Sequence, residues 1–293
     1  MSHSQSHVDG GGAHHIGQVG TPIVVATHPR SGTHLMIDLL RKQFEACKGW
    51  VWPWETLHHL YVNLDRIRPQ SSHPLTIEKA ASLMQRPDRP TLKTHSRPGF
   101  REHPSASRRF IQRLIENGTV VCVVRDGRDV LCSAYLWEKT HSDIQCPLST
   151  FLQRHPEGES SRVQKWADHV RAWARQESVH IIRFEDILDD ARNTIRRLGA
   201  ILDADPLYET PYLPQRMDSD SRWVDYWRRL TGNHESTTIV ARPNGTAPPD
   251  WREAFTADDR RFFWEEAGSM LQEFDYEADS SWIEDPSTND AAH

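Results

Sequence analysis

The sequence is poorest in three things: cysteine, long apolar runs and net positive charge. Its four cysteines, Cys47, Cys122, Cys132 and Cys146, lack the density and paired spacing of a disulfide framework or a zinc site. They read as reduced thiols and make a cytoplasmic protein the expectation. No apolar run is long enough to cross a membrane as a helix. Residues 1–20 are rich in Ser, His and Gly and carry no apolar stretch, which reads as a disordered leader rather than a signal peptide. The formal net charge of −6 argues against a general nucleic-acid binder, since such binding rests on neutralising phosphates with Lys and Arg.

What is present is enough apolar residue, 37% of 293, to bury one sizeable core, and a single α/β domain over residues 21–277 is expected. The charge is unevenly spread. From Arg86 to Arg128 there are ten basic residues against four acidic ones, whereas no Lys or Arg follows Arg261 and residues 278–293 read as an acidic, flexible tail. A local positive region suits a small polyanion, although a solvated basic helix face would look the same.

Three short apolar runs read as buried parallel strands: Pro22 to Thr27, Thr119 to Val124 and Val179 to Phe184, with Thr91 to Thr94 as a further strand. Helical patterns follow three of them, from Thr33 towards Cys47, from Arg128 through Glu138 and from Asp190 to Leu202. Further helices are expected at Ile77 to Gln85, at Arg108 to Asn117 with Gly118 as its C′ glycine, and at Asp258 to Tyr276. Strands alternating with helices predict a P-loop-like central parallel sheet flanked by helices on both faces, with ligands bound beyond the carboxyl ends of the strands.

The polar turns fall at those ends. Thr27-His-Pro-Arg-Ser-Gly-Thr33-His34 joins the first strand to its helix, so backbone N–H groups and the helix dipole can face an anion. The Walker pattern, with its Lys-Ser/Thr pair for Mg²⁺, is missing. At the second strand end, Arg125 and Ser133 are eight residues apart, which lets one side chain from a strand end and one from two turns into a helix converge on a phosphate. Lys93-Thr-His95 closes the Thr91 strand. Histidine is the side chain whose ordinary pKa best suits a base near neutral pH, and Lys93 is placed to stabilise developing negative charge.

These motifs resemble those of the PAPS-dependent sulfotransferases, whose phosphosulfate loop reads Thr-Tyr-Pro-Lys-Ser-Gly-Thr, whose 3′-phosphate motif has Arg and Ser at the same separation, and whose cytosolic members carry Lys-Thr-His. The resemblance spans Thr21 to about Tyr276. It implies Arg30, in place of the family lysine, on the bridging oxygen and leaving phosphate, with Ser31, Gly32, Thr33 and His34 in the cradle. It implies Arg125 and Ser133 on the 3′-phosphate, Lys93 and His95 as catalytic residues, and Arg242 and Gly245 in a closing loop that is about two residues longer than usual. Leu35 stands where many members place a stacking Trp, which leaves Phe184 and Trp223 as candidates for adenine. Glu55 is the alternative base. Trp50, Trp52 and Trp54 could line an apolar acceptor pocket or pack in a core.

The activity implied is transfer of a sulfuryl group from 3′-phosphoadenosine 5′-phosphosulfate (PAPS) to the hydroxyl of a small-molecule acceptor, leaving 3′-phosphoadenosine 5′-phosphate (PAP) and requiring no metal. A P-loop kinase is the nearest competing reading and lacks its Lys-Ser/Thr pair here. A silent nucleotide-binding protein is the other, and would have no use for both Lys93 and His95.

Overall fold

A computed structural model describes residues 20–52, 54–69, 75–142, 144–154, 160–209 and 247–284. Five parallel strands form one sheet in the order β2-β3-β1-β4-β5, where β1 is Ile23–Thr27, β2 Val62–Asn63, β3 Thr91–Thr94, β4 Thr119–Val124 and β5 Val179–Arg183. The helices are α1 Thr33–Gln43, α2 Ile77–Met84, α3 Ser105–Glu116, α4 Gly127–His141, α5 Leu148–Gln153, α6 Arg162–Ala174, α7 Phe184–Asp189, α8 Ala191–Leu202, α9 Trp251–Ala254 and α10 Ala257–Glu273.

Why the strands read as continuous apolar runs is plain from their two faces. Ile23, Val25, Val121 and Val123 point to one side, where Met36, Ile37 and Leu40 of α1 and Ile195 and Leu198 of α8 cover them. Val24, Ala26, Val120 and Cys122 point to the other, against Trp166, Val170 and Trp173 of α6 and Phe263 and Leu271 of α10. With both faces of β1 and β4 buried, no polar alternation survives in them, whereas β3 carries Lys93 between Leu92 and Thr94 and β5 exposes His180. At about 25 cal/mol per Å², such burial is the dominant favourable contribution to the fold.

Beyond β2, α5, α6, α7 and α9, which the sequence expectation did not include, two features depart from it. Gly118 does not have the positive φ of a C′ cap; it is required by space, because a Cβ there would lie 2.7 Å from the Leu114 carbonyl oxygen and 3.0 Å from that of Pro22. The packed chain also runs beyond residue 277. Ser280–Ile283 form a 3₁₀ turn that buries Trp282 edge-on against Trp251, ring centroids 5.4 Å apart. Arg128 packs on both rings, its guanidinium 3.8 Å from the centre of the Trp251 ring and 4.6 Å from that of Trp282. Arg128 pairs with Asp126 at 2.7 Å and with Glu277, so the charge is buried with both carboxylates in place. The acidic segment is thereby tied to the start of α4.

Candidate active site

The register fixes the site before any side chain is considered. Ala26 of β1 pairs with Thr94 of β3, and Thr27 pairs with Val123 of β4. The turns that begin at His28, His95 and Arg125 therefore leave the sheet side by side, at its carboxyl edge.

In the first turn, Arg30 has φ 73° and Gly32 φ 94°, both in the left-handed region. Arg30 holds that conformation against a cost of roughly 1–3 kcal/mol for a non-glycine residue, the kind of strain that surrounding structure sustains at binding sites. Gly32 is required twice over, by its φ and because an added Cβ would come within 2.4 Å of the Phe184 ring. The turn delivers the chain to α1, which has no acidic residue in its first turn and no side-chain cap. Its N-terminal N–H groups and dipole thus meet no fixed negative charge of their own helix.

Around this cradle the basic and hydroxyl groups converge. Arg30 Nε donates to Ser133 Oγ of α4 at 3.2 Å. Arg125 Nη1 donates to the Arg30 carbonyl at 3.3 Å, and its guanidinium lies 4.6 Å from the Phe184 ring centre. Burial, and then the charge of Arg125, depress the pKa of Arg30. Arg125 Nε is buried with no partner among the described residues. Two cations pressed together with an unspent donor describe a seat for an anion.

The third turn carries His95. Its Nδ1 is 2.8 Å from the Thr27 carbonyl oxygen and 3.1 Å from Thr27 Oγ1. A carbonyl can only accept, so Nδ1 bears the proton and Nε2 keeps its lone pair. Thr27 Oγ1 is also 2.6 Å from Thr33 Oγ1, which links His95 to the first turn. Burial, and then Lys93, push the His95 pKa down, so the ring is neutral near pH 7. Lys93 is itself buried, with a lowered pKa caused first by desolvation, and its Nζ lies 3.4 Å from His34 Nε2.

Two groups of this site carry no motif. Asp65, just after β2, accepts from His95 N–H at 2.7 Å, Thr94 Oγ1 at 2.7 Å and Ser96 Oγ at 2.9 Å. A two-residue strand leaves no periodic pattern by which Asp65 could have been placed from sequence. His169 of α6 is buried with its Nε2 unbonded among the described residues, and its ring meets that of His28 edge-on at 5.5 Å. Burial, followed by the charges of His28, His95 and Arg97, drives its pKa well below the ordinary value. Here a signal existed: a polar residue on the apolar stripe of Trp166, Val170 and Trp173.

Of the other expected residues among those described, Phe184 lies at the first turn and the rest do not. Phe184 opens α7 with its ring against Gly32. Glu55 is engaged by Arg86 through two hydrogen bonds of 2.6 and 2.8 Å, which with smaller contributions hold its carboxyl down at about 2. Trp50, Trp52 and Trp54 are 46%, 47% and 75% exposed, so they are not core; Trp52 and Trp54 stack on each other at 5.1 Å. Trp223, Arg242 and Gly245 lie outside the described residues.

Comparison with known proteins decides the family. A profile of the sulfotransferase domain matches residues 20–211. The chain belongs to the sulfotransferase domain family. It is a sulfotransferase, and its sheet and helices are those of the fold. Among solved structures it is similar to mouse sulfotransferase SULT7A1 complexed with PAP, at 15% identity and TM-score 0.53 over 90% of this chain and 88% of that one. It is also similar to retinol dehydratase in a complex with retinol and PAP, at 18% identity and TM-score 0.50 over 87% and 82%. Comparison with curated protein sequences returns no match. Among the described residues no helix is long and apolar enough to cross a membrane.

Proposed function

We propose that this sulfotransferase moves the sulfuryl group of PAPS to the hydroxyl of a small-molecule acceptor, with His95 as general base. The observation that carries the reading is the pairing of Nδ1 of His95 with the Thr27 carbonyl, which leaves Nε2 as a basic lone pair beside the loop that would hold the donor. PAP in the mouse and retinol dehydratase structures, and retinol in the latter, support the donor and an alcohol acceptor here. The residues present fit such a donor: a turn whose Gly32 leaves no room for a Cβ against the Phe184 ring, mutually repelling Arg30 and Arg125, and a buried donor on Arg125 that is unbonded among the described residues.

Each role follows from what the side chain can do. PAPS supplies sulfur already activated by a phosphate leaving group. The cradle of Ser31, Gly32 and Thr33, together with Arg30, binds and orients the phosphosulfate; Arg30 meets negative charge as it builds on the leaving oxygen, which is where fixed charge accelerates a reaction. Arg125 and Ser133 hold the 3′-phosphate. Lys93 faces the negative charge spread over the sulfuryl oxygens. Nε2 of His95 takes the acceptor proton, and the imidazolium so formed is stabilised by the Thr27 carbonyl on its other nitrogen and by the nearby Asp65 carboxylate. Phe184 and Trp223 are assigned to adenine, and Arg242 and Gly245 to the loop that closes over the nucleotide.

The same geometry favours His95 over Glu55. A carboxylate held at about 2 by Arg86 binds protons too weakly to remove one from a hydroxyl near neutral pH. Incubation with ³⁵S-labelled PAPS and a panel of phenols, primary alcohols and sterols tests the assignment. Label is expected in an organic product formed by the wild type and by Glu55→Gln, and not by His95→Ala. Transfer by His95→Ala at the wild-type rate would remove the base from His95.

A further inference from the structure

His34 follows the cradle and was expected from the family resemblance to help bind the donor phosphate. Its position in the fold points elsewhere. Nε2 of His34 lies 3.4 Å from Nζ of Lys93. An ammonium has only N–H groups to offer, so Nε2 must supply the lone pair and the ring proton sits on Nδ1. The ring meets Tyr61 edge-on at 5.4 Å and 79°, and the same Tyr61 ring lies 5.8 Å from Lys93 Nζ. Tyr61 is fixed in turn by its hydroxyl, 2.8 Å from His58 Nδ1. The imidazole is thus oriented towards β3 and the segment before β2, whereas Arg30, Arg125 and Ser133 are joined to one another by their own hydrogen bonds.

From this arrangement we infer that His34 is a positioning residue for Lys93, accepting its N–H and aiming the ammonium at the transferring group, and is not a ligand of the nucleotide phosphate. The inference rests on the sulfotransfer reading for what Lys93 faces, but the contact itself does not. Chemistry supports it independently. Burial, then the charges of Lys93, His95, His58 and Arg30, lower the His34 pKa to about 3, so the ring stays neutral at any working pH and remains an acceptor. A hydroxyl at this position, which the resembling family carries, is shorter than an imidazole. The substitution gives the cradle a side chain that reaches the neighbouring strand.

The experiment is nitrogen NMR on the ¹⁵N-labelled full chain, paired with calorimetric titration of PAP. In the wild type His34 should show the Nδ1–H tautomer, and in Lys93→Met its protonation midpoint should rise, because a cation that opposed protonation is gone. The Lys93 ammonium resonance should be lost to fast exchange in His34→Ala and return in His34→Gln, whose amide oxygen can accept. PAP affinity of His34→Ala should stay within about threefold of wild type. A loss of about tenfold or more, some 1.4 kcal/mol, would make His34 a phosphate ligand and overturn the inference. So would a Lys93 resonance indifferent to both His34 variants. Failure of the wild type to bind PAP would count against the donor assignment, and the Lys93 resonance would still decide the His34 contact.

Discussion

Thr27 and His95, 68 residues apart, are joined by a 2.8 Å hydrogen bond from the imidazole Nδ1–H to the threonine carbonyl. The bond runs between the ends of two neighbouring strands, so the tautomer of His95 is set by sheet register. A one-residue slip of β3 against β1 would turn His95 away from Thr27 and bury a different face of Lys93.

His95 sets a pH dependence with a definite sign. The base works when neutral, and burial with Lys93 lowers its pKa below the ordinary 6.5. Activity should therefore persist below pH 6.5 and fall only as pH drops through the lowered value. The acid limb of kcat/KM measures this. Replacement by Ala should cut kcat by roughly 10²–10⁴-fold, the usual worth of a positioned base, with PAP affinity retained.

Asp65 holds the turn that presents the base, by its three hydrogen bonds. Asp65→Asn removes a negative charge that raises the His95 pKa and places an N–H donor among groups that donate to the carboxylate. The acid limb should move to still lower pH and kcat should fall, with KM for PAPS little changed. An unmoved limb would reduce Asp65 to a structural role.

The centre of the sheet was legible because β1 and β4 are buried on both faces and their apolar runs are unbroken, as in Val120 to Val124. The first turn, Arg125 with Ser133, and Lys93 with His95 could be picked out because each group is local in sequence, and the structure brings Arg30, Arg125 and Ser133 together. Asp65 and His169 were not. Each meets its partner across a long stretch of chain, Asp65 at the end of β3 and His169 at His28, and although His169 stands out on an apolar stripe, no spacing names either partner. The end of the packed domain was missed for a related reason: Trp282 is a single aromatic in an acidic stretch, and only Arg128 and Trp251 show where it goes.

Gly32 should tolerate no side chain. At φ 94° and with the Phe184 ring 2.4 Å from an added Cβ, Gly32→Ala is expected to lose about 1–3 kcal/mol from backbone strain alone. Chemical denaturation reads the stability. PAP affinity should fall with it, because the displaced ring also carries Arg125.

The C-terminal clamp is testable in the same way. Glu277→Ala removes one of two carboxylates from buried Arg128, and a loss of about 3 kcal/mol is expected, at the low end for a broken buried pair because Asp126 remains. Trp282→Ala should also destabilise. A neutral effect of both would mean that residues 280–283 do not contribute to the packed domain.

The account turns on whether this site holds a 3′-phosphorylated nucleotide, and calorimetric titration with PAP in the presence of a chelator, beside adenosine 5′-phosphate and ATP, measures it directly. Binding should be metal-independent and should weaken sharply without the 3′-phosphate. Arg125→Ala should lose about 10–100-fold in affinity for PAP, the scale of a charge-assisted hydrogen bond, and little for adenosine 5′-phosphate. Equal affinity for PAP and adenosine 5′-phosphate, or a magnesium-dependent preference for ATP, would contradict the assignment of Arg125 and Ser133 and with it the PAPS-dependent reading.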